Sequence, residues 1–444
     1  IISLNNTGII GNANKAVRDT DDKQIREAIE VAKLKINFEG SLNETTLKNE
    51  LEKSLGENVE VVKNTDNTYT IKVKDMYYTL EEDETVIKGK YDLWDKTSKS
   101  PEKSTNEIHI YKASELKWLE EQVASGEDFA GYTVYLENNL DFGARESEGN
   151  TIDTKWKTDA NKEYKWTPIS KDSEHPFNAK FDGNGHVIKG IYVEDTTTRC
   201  SGIFGRGENV ICNLTIKNSY IEGMQNVAGI VGRCGVDCEI INCHNVNTTV
   251  VLSSGVCTRV AGVVGQVADD VINCSNSGNI IAYGMADDGY STSNIGGVVS
   301  WTVDNEDIKI EGCVNKGKIE SYGTSTGGVI ARLENMTKIN NCINYGEVIC
   351  NGKMEDGRSM CGGIIGKMAD FSEASLCANY GNISAVGSQV AGIAGMMGHT
   401  TGTLGENDST NAITKCFNTG SIKGSVKVGG IVGSSGSEKE HVSY

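Results

Sequence analysis

The chain has 444 residues, a length that suggests two or three domains, and its 51 glycines against 3 prolines fit a strand-rich protein. Its formal charge of −18 argues against nucleic acid or an anionic membrane surface as the main partner. No run is long and apolar enough to cross a bilayer and no signal peptide is present, yet the chain opens on Ile1-Ile2 without an initiating Met, which predicts an upstream segment that was removed or lies outside this sequence.

Residues 15–38 place Ile25, Ile29, Ala32 and Ile36 on one stripe beside Arg26, Glu27, Glu30 and Lys33, which predicts a helix ended by Gly40. A second helix is expected from the capping box Ser41-Leu42-Asn43-Glu44, with Leu47, Leu51 and Leu55 inward and Gly56 as its stop. Val59 to Val62, Thr68 to Val73 and Met76 to Leu80 read as strands, the first two joined through the turn Asn64-Thr65-Asp66-Asn67. Residues 1–80 therefore form a small unit of helix plus antiparallel sheet. A lead helix entered through Gly8-Ile9-Ile10-Gly11-Asn12-Ala13-Asn14-Lys15-Ala16 and followed by such a sheet resembles the part of a Gram-positive type IV pilin, or pilin-like protein, that lies just outside the membrane. The resemblance implies filament subunits as partners through this helix. It also implies that any membrane contact is made only by an upstream apolar helix absent from this sequence.

Residues 81–106 read as a linker, because Ser98 to Thr105 is polar and contains Pro101. A strand from Ile108 to Tyr111, a helix capped by Ser114 with Leu116, Leu119 and Val123 inward, and a strand from Tyr132 to Leu136 follow. They open a stretch, 107–200, expected to cap a stack of coils and form its first turns, since a terminal coil exposes apolar surface and strand edges.

Beyond it two phrases alternate. Cys-x-Asn-x-Gly begins at Cys243, Cys274, Cys313, Cys342, Cys377 and Cys416, and places amides at Asn245, Asn276, Asn315, Asn344, Asn379 and Asn418. Gly closes five copies and Asn247 the first, a substitution that suggests a left-handed corner. The other phrase, small-Gly-aliphatic-aliphatic-small, centres on Gly202, Gly229, Gly262, Gly297, Gly328, Gly363, Gly392 and Gly430, at intervals of 27 to 38 residues, and reads as a short buried strand. Constant phrases at varying intervals are the mark of stacked coils whose loops vary. In an extended chain Cys, Asn, Gly and the following aliphatic residue share one side, and stacking at about 4.8 Å lets sulfur meet sulfur and amide bond to amide. The predicted fold is mainly β: a parallel β-solenoid, or β-helix, over 201–433 with a polar tail at 434–444 and the small N-terminal α+β module.

Trp166-Thr167-Pro168-Ile169, Phe177 to Ile188 and Ser201-Gly202-Ile203-Phe204-Gly205, with the later Gly-Gly-Ile-Val-Gly copies, resemble the GLUG-repeat proteins of bacterial surfaces. That family includes adhesins and large immunoglobulin-A-specific metallopeptidases. The resemblance implies the fold and a cell-surface setting, while fold alone does not carry activity.

Candidate chemistry is sparse. No His is followed by Glu, so the His-Glu-x-x-His zinc helix of a metallopeptidase is missing. Asp269-Asp270 and Asp287-Asp288 are the adjacent Asp pairs in the repeats, and as interval residues they read as solvated loop carboxylates rather than a glycosidase pair. All 13 cysteines lie between Cys200 and Cys416; the six in the phrase read as reduced core thiols, because Leu214 occupies the equivalent place one coil earlier. Cys234, Cys238, Cys243, His244 and Cys257 leave open unpaired thiols, a local Cys234–Cys238 disulfide or a metal site, in that order of preference. Asp182-Gly183-Asn184-Gly185 reads as a turn rather than a calcium loop. No catalytic residue, cofactor or metal is expected. The expected role is a non-enzymatic extracellular protein of a cell surface or pilus, serving adhesion or filament structure. Its partner would be a host or environmental protein or glycan, contacted through the loops 250–259, 281–294, 351–360 and 396–414. The alternative from another class is a β-helical polysaccharide lyase or hydrolase.

Overall fold

The computed structural model describes residues 22–33, 35–36, 42–64, 68–74, 76–81, 86–253, 258–283, 293–303, 307–354, 357–398, 411–435 and 441–443. The chain divides into two compact units, Ile1–Tyr91 and Asp92–Tyr444.

In the first unit a helix over 22–33, resuming at 35–36, buries Ile25, Ala28, Ile29, Ala32 and Ile36. The stretch from Gly8 to Ala16 lies outside the described residues, as do 65–67 of the turn. The second helix, Glu44–Leu55, is capped two residues later than its sequence suggests: Asn43 Oδ1 accepts from the amides of Thr45 and Thr46, and Thr46 Oγ1 accepts from Asn43 N. Asn43 takes the cap because its own backbone is extended, which leaves Glu44 to accept from Lys63 N at 2.5 Å. Gly56, at φ 66°, closes the helix. Four antiparallel strands follow, Val59–Lys63, Tyr69–Val73, Met76–Leu80 and Val86–Lys88, paired in that order. Tyr69, Ile71 and Val73 alternate inward against Leu47, Leu51 and the first helix. The fourth strand carries this sheet beyond Leu80.

The polar segment before residue 107 is built into the second unit rather than being a tether. Trp94 packs on Phe142 with ring centroids 5.5 Å apart, Lys99 N donates to Ser114 O, and Glu102–Ser104 pairs antiparallel with Glu107–Ile110. Its side chains are polar because this is the outer edge of a sheet, where side chains meet water while the backbone stays paired. The helix Ala113–Ala124 buries Leu116, Leu119 and Val123 against Phe129, Phe142 and Trp166 and so covers the first coil. Ser114 sits inside its first turn and does not cap it; Glu115 reaches back to accept from the amides of Tyr111 and Lys112.

From there the chain winds as a parallel β-solenoid. A coil contributes five short strands, as in Ile211–Cys212, Thr215–Lys217, Tyr220–Gly223, Asn226–Ala228 and Val231–Cys234, and each pairs in parallel with its counterpart one coil on. Among the described residues the result is five sheets of 12, 10, 8, 8 and 8 strands around one apolar core. The last described strand, His441–Ser443, pairs in parallel with Ala412–Thr414 and extends the 12-stranded sheet.

Two local readings of the repeats need correction. The small-Gly-aliphatic-aliphatic-small phrase is a bend between two strands rather than one strand: Gly296 ends Asn294–Gly296 and Val299 begins Val299–Thr302. The bend is what lets the consecutive Val298 and Val299 both point inward, each contributing about 1.5–3 kcal/mol of burial. Nor does Gly of Cys-x-Asn-x-Gly take a left-handed backbone. A Cβ on Gly317, Gly346, Gly381 or Gly420 would lie 1.9 to 2.0 Å from the carbonyl oxygen of the matching glycine one coil before, so close stacking is what excludes a side chain. The left-handed corner falls one residue before Cys, at Asn242, Asn273, Gly312, Asn341, Leu376 and Lys415.

Candidate functional site

The recurrent thiols and amides form two columns in the solenoid interior. Cys243, Cys274, Cys313, Cys342, Cys377 and Cys416 are all buried, each Sγ lying near the carbonyl two residues before it, as for Cys274 over Ile272 O at 3.3 Å and Cys342 over Asn340 O at 3.3 Å. Leu214 heads this column, fully buried. In the amide column Nδ2 of Asn276, Asn315, Asn344 and Asn379 donates to Oδ1 of Asn315, Asn344, Asn379 and Asn418 at 2.8, 2.8, 2.8 and 2.6 Å. In the middle of the ladder every valence is used: Asn344 Nδ2 also donates to Gly346 O, and its Oδ1 accepts from Gly346 N as well as from Asn315.

Asn245 stands at the head of this column but outside its bonding. Its amide turns to Gly262 O at 3.1 Å and Thr248 O at 3.4 Å, because Asn247 keeps a left-handed turn one residue longer and brings Thr248, not residue 247, over Gly278. The two phrases meet across the core. A Cβ on Gly297, Gly328 or Gly363 would lie within 2.6 Å of the side chain of Asn315, Asn344 or Asn379, so the glycine bends are the space that the amides fill.

Burial pushes Cys274 and Cys342 up, and hydrogen bonding to Cys377 followed by burial does the same for Cys416. Cys313 and Cys377 accept from both neighbouring thiols, which alone favours a thiolate, but their surroundings are the same apolar column, and desolvation prevails.

Two disulfides lie apart from the columns. Cys234–Cys238 is bridged with Cα atoms 5.4 Å apart, which overturns the preference for free thiols there, since both side chains turn inward across one tight loop. Cys350–Cys361, unanticipated, joins two strands of neighbouring sheets with Cα atoms 6.6 Å apart. Cys257 lies outside the described residues, and His244 is engaged by Ser275 and Asn242. No group of three or more metal-ligating side chains occurs among the described residues.

Asp182 to Gly185 is a turn, with Asn184 at φ 51°, Gly185 at φ 76° and Asn184 N donating to Asp182 Oδ1. Asp287 and Asp288 lie outside the described residues, as do 254–257, 284–292, 355–356 and 399–410 of the candidate binding loops. Asp270 is held by the amide and ammonium of Lys309, while Asp269 is pushed up by burial, then by Asp270 and Asp237.

One feature was not anticipated. A cavity of about 540 Å³ opens on the first coils, and among its lining are Lys171, Arg199, Arg206, Arg233 and Arg259, against a single acid, Asp172. Parallel register sets Arg206 beside Arg233, and one coil further Arg259 stacks over Trp301 at 4.3 Å while donating to Asn226. Burial pushes the Cys200 thiol up, partly offset by Asn226 and by these three arginines, which places all of them around it. The signal was present in the sequence as the residue that follows each of the first six glycine phrases: Arg206, Arg233, Gln266, Trp301, Arg332 and Lys367. Parallel stacking turns that single repeat position into a column on one sheet.

No protein-family model matches the chain. Over 105 residues, 23% of its length, it is 31% identical to halomucin of Haloquadratum walsbyi, and it spans about 1% of that protein. Among solved structures, a Bacteroides ovatus protein named as a candidate immunoglobulin A1 protease aligns with a TM-score of 0.46 at 17% identity, over 73% of this chain and 84% of that one. Among the described residues no helix is long and apolar enough to cross a membrane.

Proposed function

We propose that this chain is a non-enzymatic, extracellular protein of a cell surface or pilus, in which a GLUG-like solenoid serves as a stiff arm for adhesion or filament structure. The observation that carries the reading is the unbroken amide ladder from Asn276 to Asn418. It commits the interior of those coils to packing and leaves recognition to the exterior and its loops. The bridges Cys234–Cys238 and Cys350–Cys361 support an oxidising compartment, where the eight free thiols among the described residues are protected by being buried. The small α+β unit is the pilin-like module of this reading, and its helix is the surface for other filament subunits.

The rival reading, a polysaccharide-degrading solenoid, draws on one observation: Asp269 is a carboxyl held above its usual range beside other acids. A single assay separates the two. Surface-immobilised chain is exposed to glycan and host-protein panels while the solution is watched for reducing ends or unsaturated sugars. Retention without product is expected, and loss of retention once the four interval loops are shortened. Product release, or retention unchanged in the shortened form, overturns the reading.

A further inference from the structure

We propose that the cavity formed by Arg199, Arg206, Arg233 and Arg259 is a receptor site for a discrete acidic sugar, one bearing a carboxylate or a sulfate ester. The cations at the cavity differ from those further along the stack. Further along the same column every charge is answered: Arg332 pairs with Glu334 at 2.5 Å, Lys367 reaches the same carboxylate at 3.8 Å, and Trp301 Nε1 donates to it at 3.1 Å. At the cavity Arg206 is held by Glu208 at 2.8 Å, but among the described residues no carboxylate lies within ion-pair distance of Arg199 or Arg233. Parallel register nonetheless places Arg233 next to Arg206, about 4.8 Å away along the stack, an arrangement of like charges that costs stability unless an anion sits between them.

Size and lining narrow the ligand. A cavity of about 540 Å³ suits one or two sugar rings. Guanidinium forks match planar carboxylate and tetrahedral sulfate oxygens, while Gln225, Asn226, Gln266, Thr197 and Thr198 on the same walls supply the neutral donors and acceptors that hydroxyls require. A long polyanion is disfavoured, because beyond this cavity it would run along a protein of formal charge −18. Of the lining residues only Arg259 borders an interval loop assigned to adhesion, at the end of 250–259, so the site stands even if those loops prove inert.

The test is calorimetric titration of the full chain with galacturonate, N-acetylneuraminate and N-acetylglucosamine 6-sulfate, alongside galactose, inorganic sulfate and a short oligonucleotide. At least one acidic sugar should bind, with affinity falling severalfold between about 50 and about 200 mM salt. Arg233→Gln should weaken that binding by about tenfold. Arg199→Gln, an exposed position that does not bear on folding, should weaken it by about threefold, with melting unchanged. The proposal is overturned if no acidic sugar binds, if galactose or inorganic sulfate binds as tightly, if the oligonucleotide binds better, or if both variants keep full affinity.

Discussion

The first and the later coils of the solenoid solve the same packing problem with different materials. Around Phe177, Phe181 and Phe204, whose rings lie 5.0 to 5.6 Å apart, and around Phe142 and Trp166 at 4.9 Å, the early core is filled by large aromatics in one-off contacts. Outside it Trp156, Tyr220 and Tyr192 form a second stack. From Cys243 onward the buried core among the described residues holds no aromatic ring, and thiol, amide and glycine recur at each level instead. Aromatics seal an end because each can fill an irregular space once. A periodic interior has no such slack: what fits one coil must fit its copies above and below, so a defect is felt by both neighbours.

The sharpest way to break that contrast is to add one methyl group to each region. Gly328→Ala puts a Cβ 2.0 Å from Gly363 O and 2.5 Å from Asn344 Cγ, both fixed by the coil stack. The matching early position, Gly202, would bring its Cβ no closer than 2.8 Å to Ile230 O and Phe204 O. Gly328→Ala is expected to cost about 5 kcal/mol and Gly202→Ala about 1–2 kcal/mol, read from urea unfolding followed by strand circular dichroism. Equal losses at the two sites would mean that the later coils relax as readily as the first.

Amide deletion sharpens the comparison at smaller cost. Asn344→Ala leaves Asn315 Nδ2, Asn379 Oδ1 and both backbone groups of Gly346 to find new partners inside the core, an expected loss of about 3–5 kcal/mol. Asn245→Ala orphans only Thr248 N and Thr248 O, since Gly262 O keeps its bond from Gly229 N and no other ladder amide depends on Asn245, at about 1–2 kcal/mol. Unfolding midpoints of the two variants decide it, and a larger loss at Asn245 would contradict the ladder as the main polar brace of the later coils.

Which features could be read from residues follows from the same periodicity. Identical side chains at fixed offsets, such as Cys274, Asn276 and Ile280, are legible as stacked coils, because parallel in-register pairing is the arrangement in which each copy meets its own kind. What escaped depends on backbone the pattern does not encode. The left-handed corner was misplaced because Gly is used here for close stacking, while Leu376 and Lys415 hold positive φ against their own preference. The cationic cavity escaped because Arg206 and Arg233 are 27 residues apart and became neighbours only through register, and Gln266 and Trp301 interrupt the charge pattern in the same column. Cys350–Cys361 escaped because neither cysteine belongs to the repeated phrase.

Alkali should separate the two regions by their thiols. Cys342 is buried in an apolar column, and desolvation raises its folded pKa well above 9.0, the value for an open thiol. Below pH 9 both folded and unfolded thiols are protonated, and the stabilisation from keeping this group neutral is fully present. Above it the unfolded thiol releases a proton that the folded one retains, so stability falls by about 1.4 kcal/mol per pH unit per retained proton until the folded pKa is reached. Cys212, an early-coil thiol that burial pushes up to about 12, should show the same sign over pH 9 to about 12. In the later coils, however, several such thiols adjoin, and their slopes add. Cys342→Val removes one of them, filling the site much as Leu214 fills the head of the column. Its unfolding free energy should change little at pH 7 and fall less steeply than that of the parent chain from pH 9 to 10.5, by about one proton's slope. Parallel curves for the two proteins would show that Cys342 ionises in the fold as easily as in water, and the column would then have to be open to solvent.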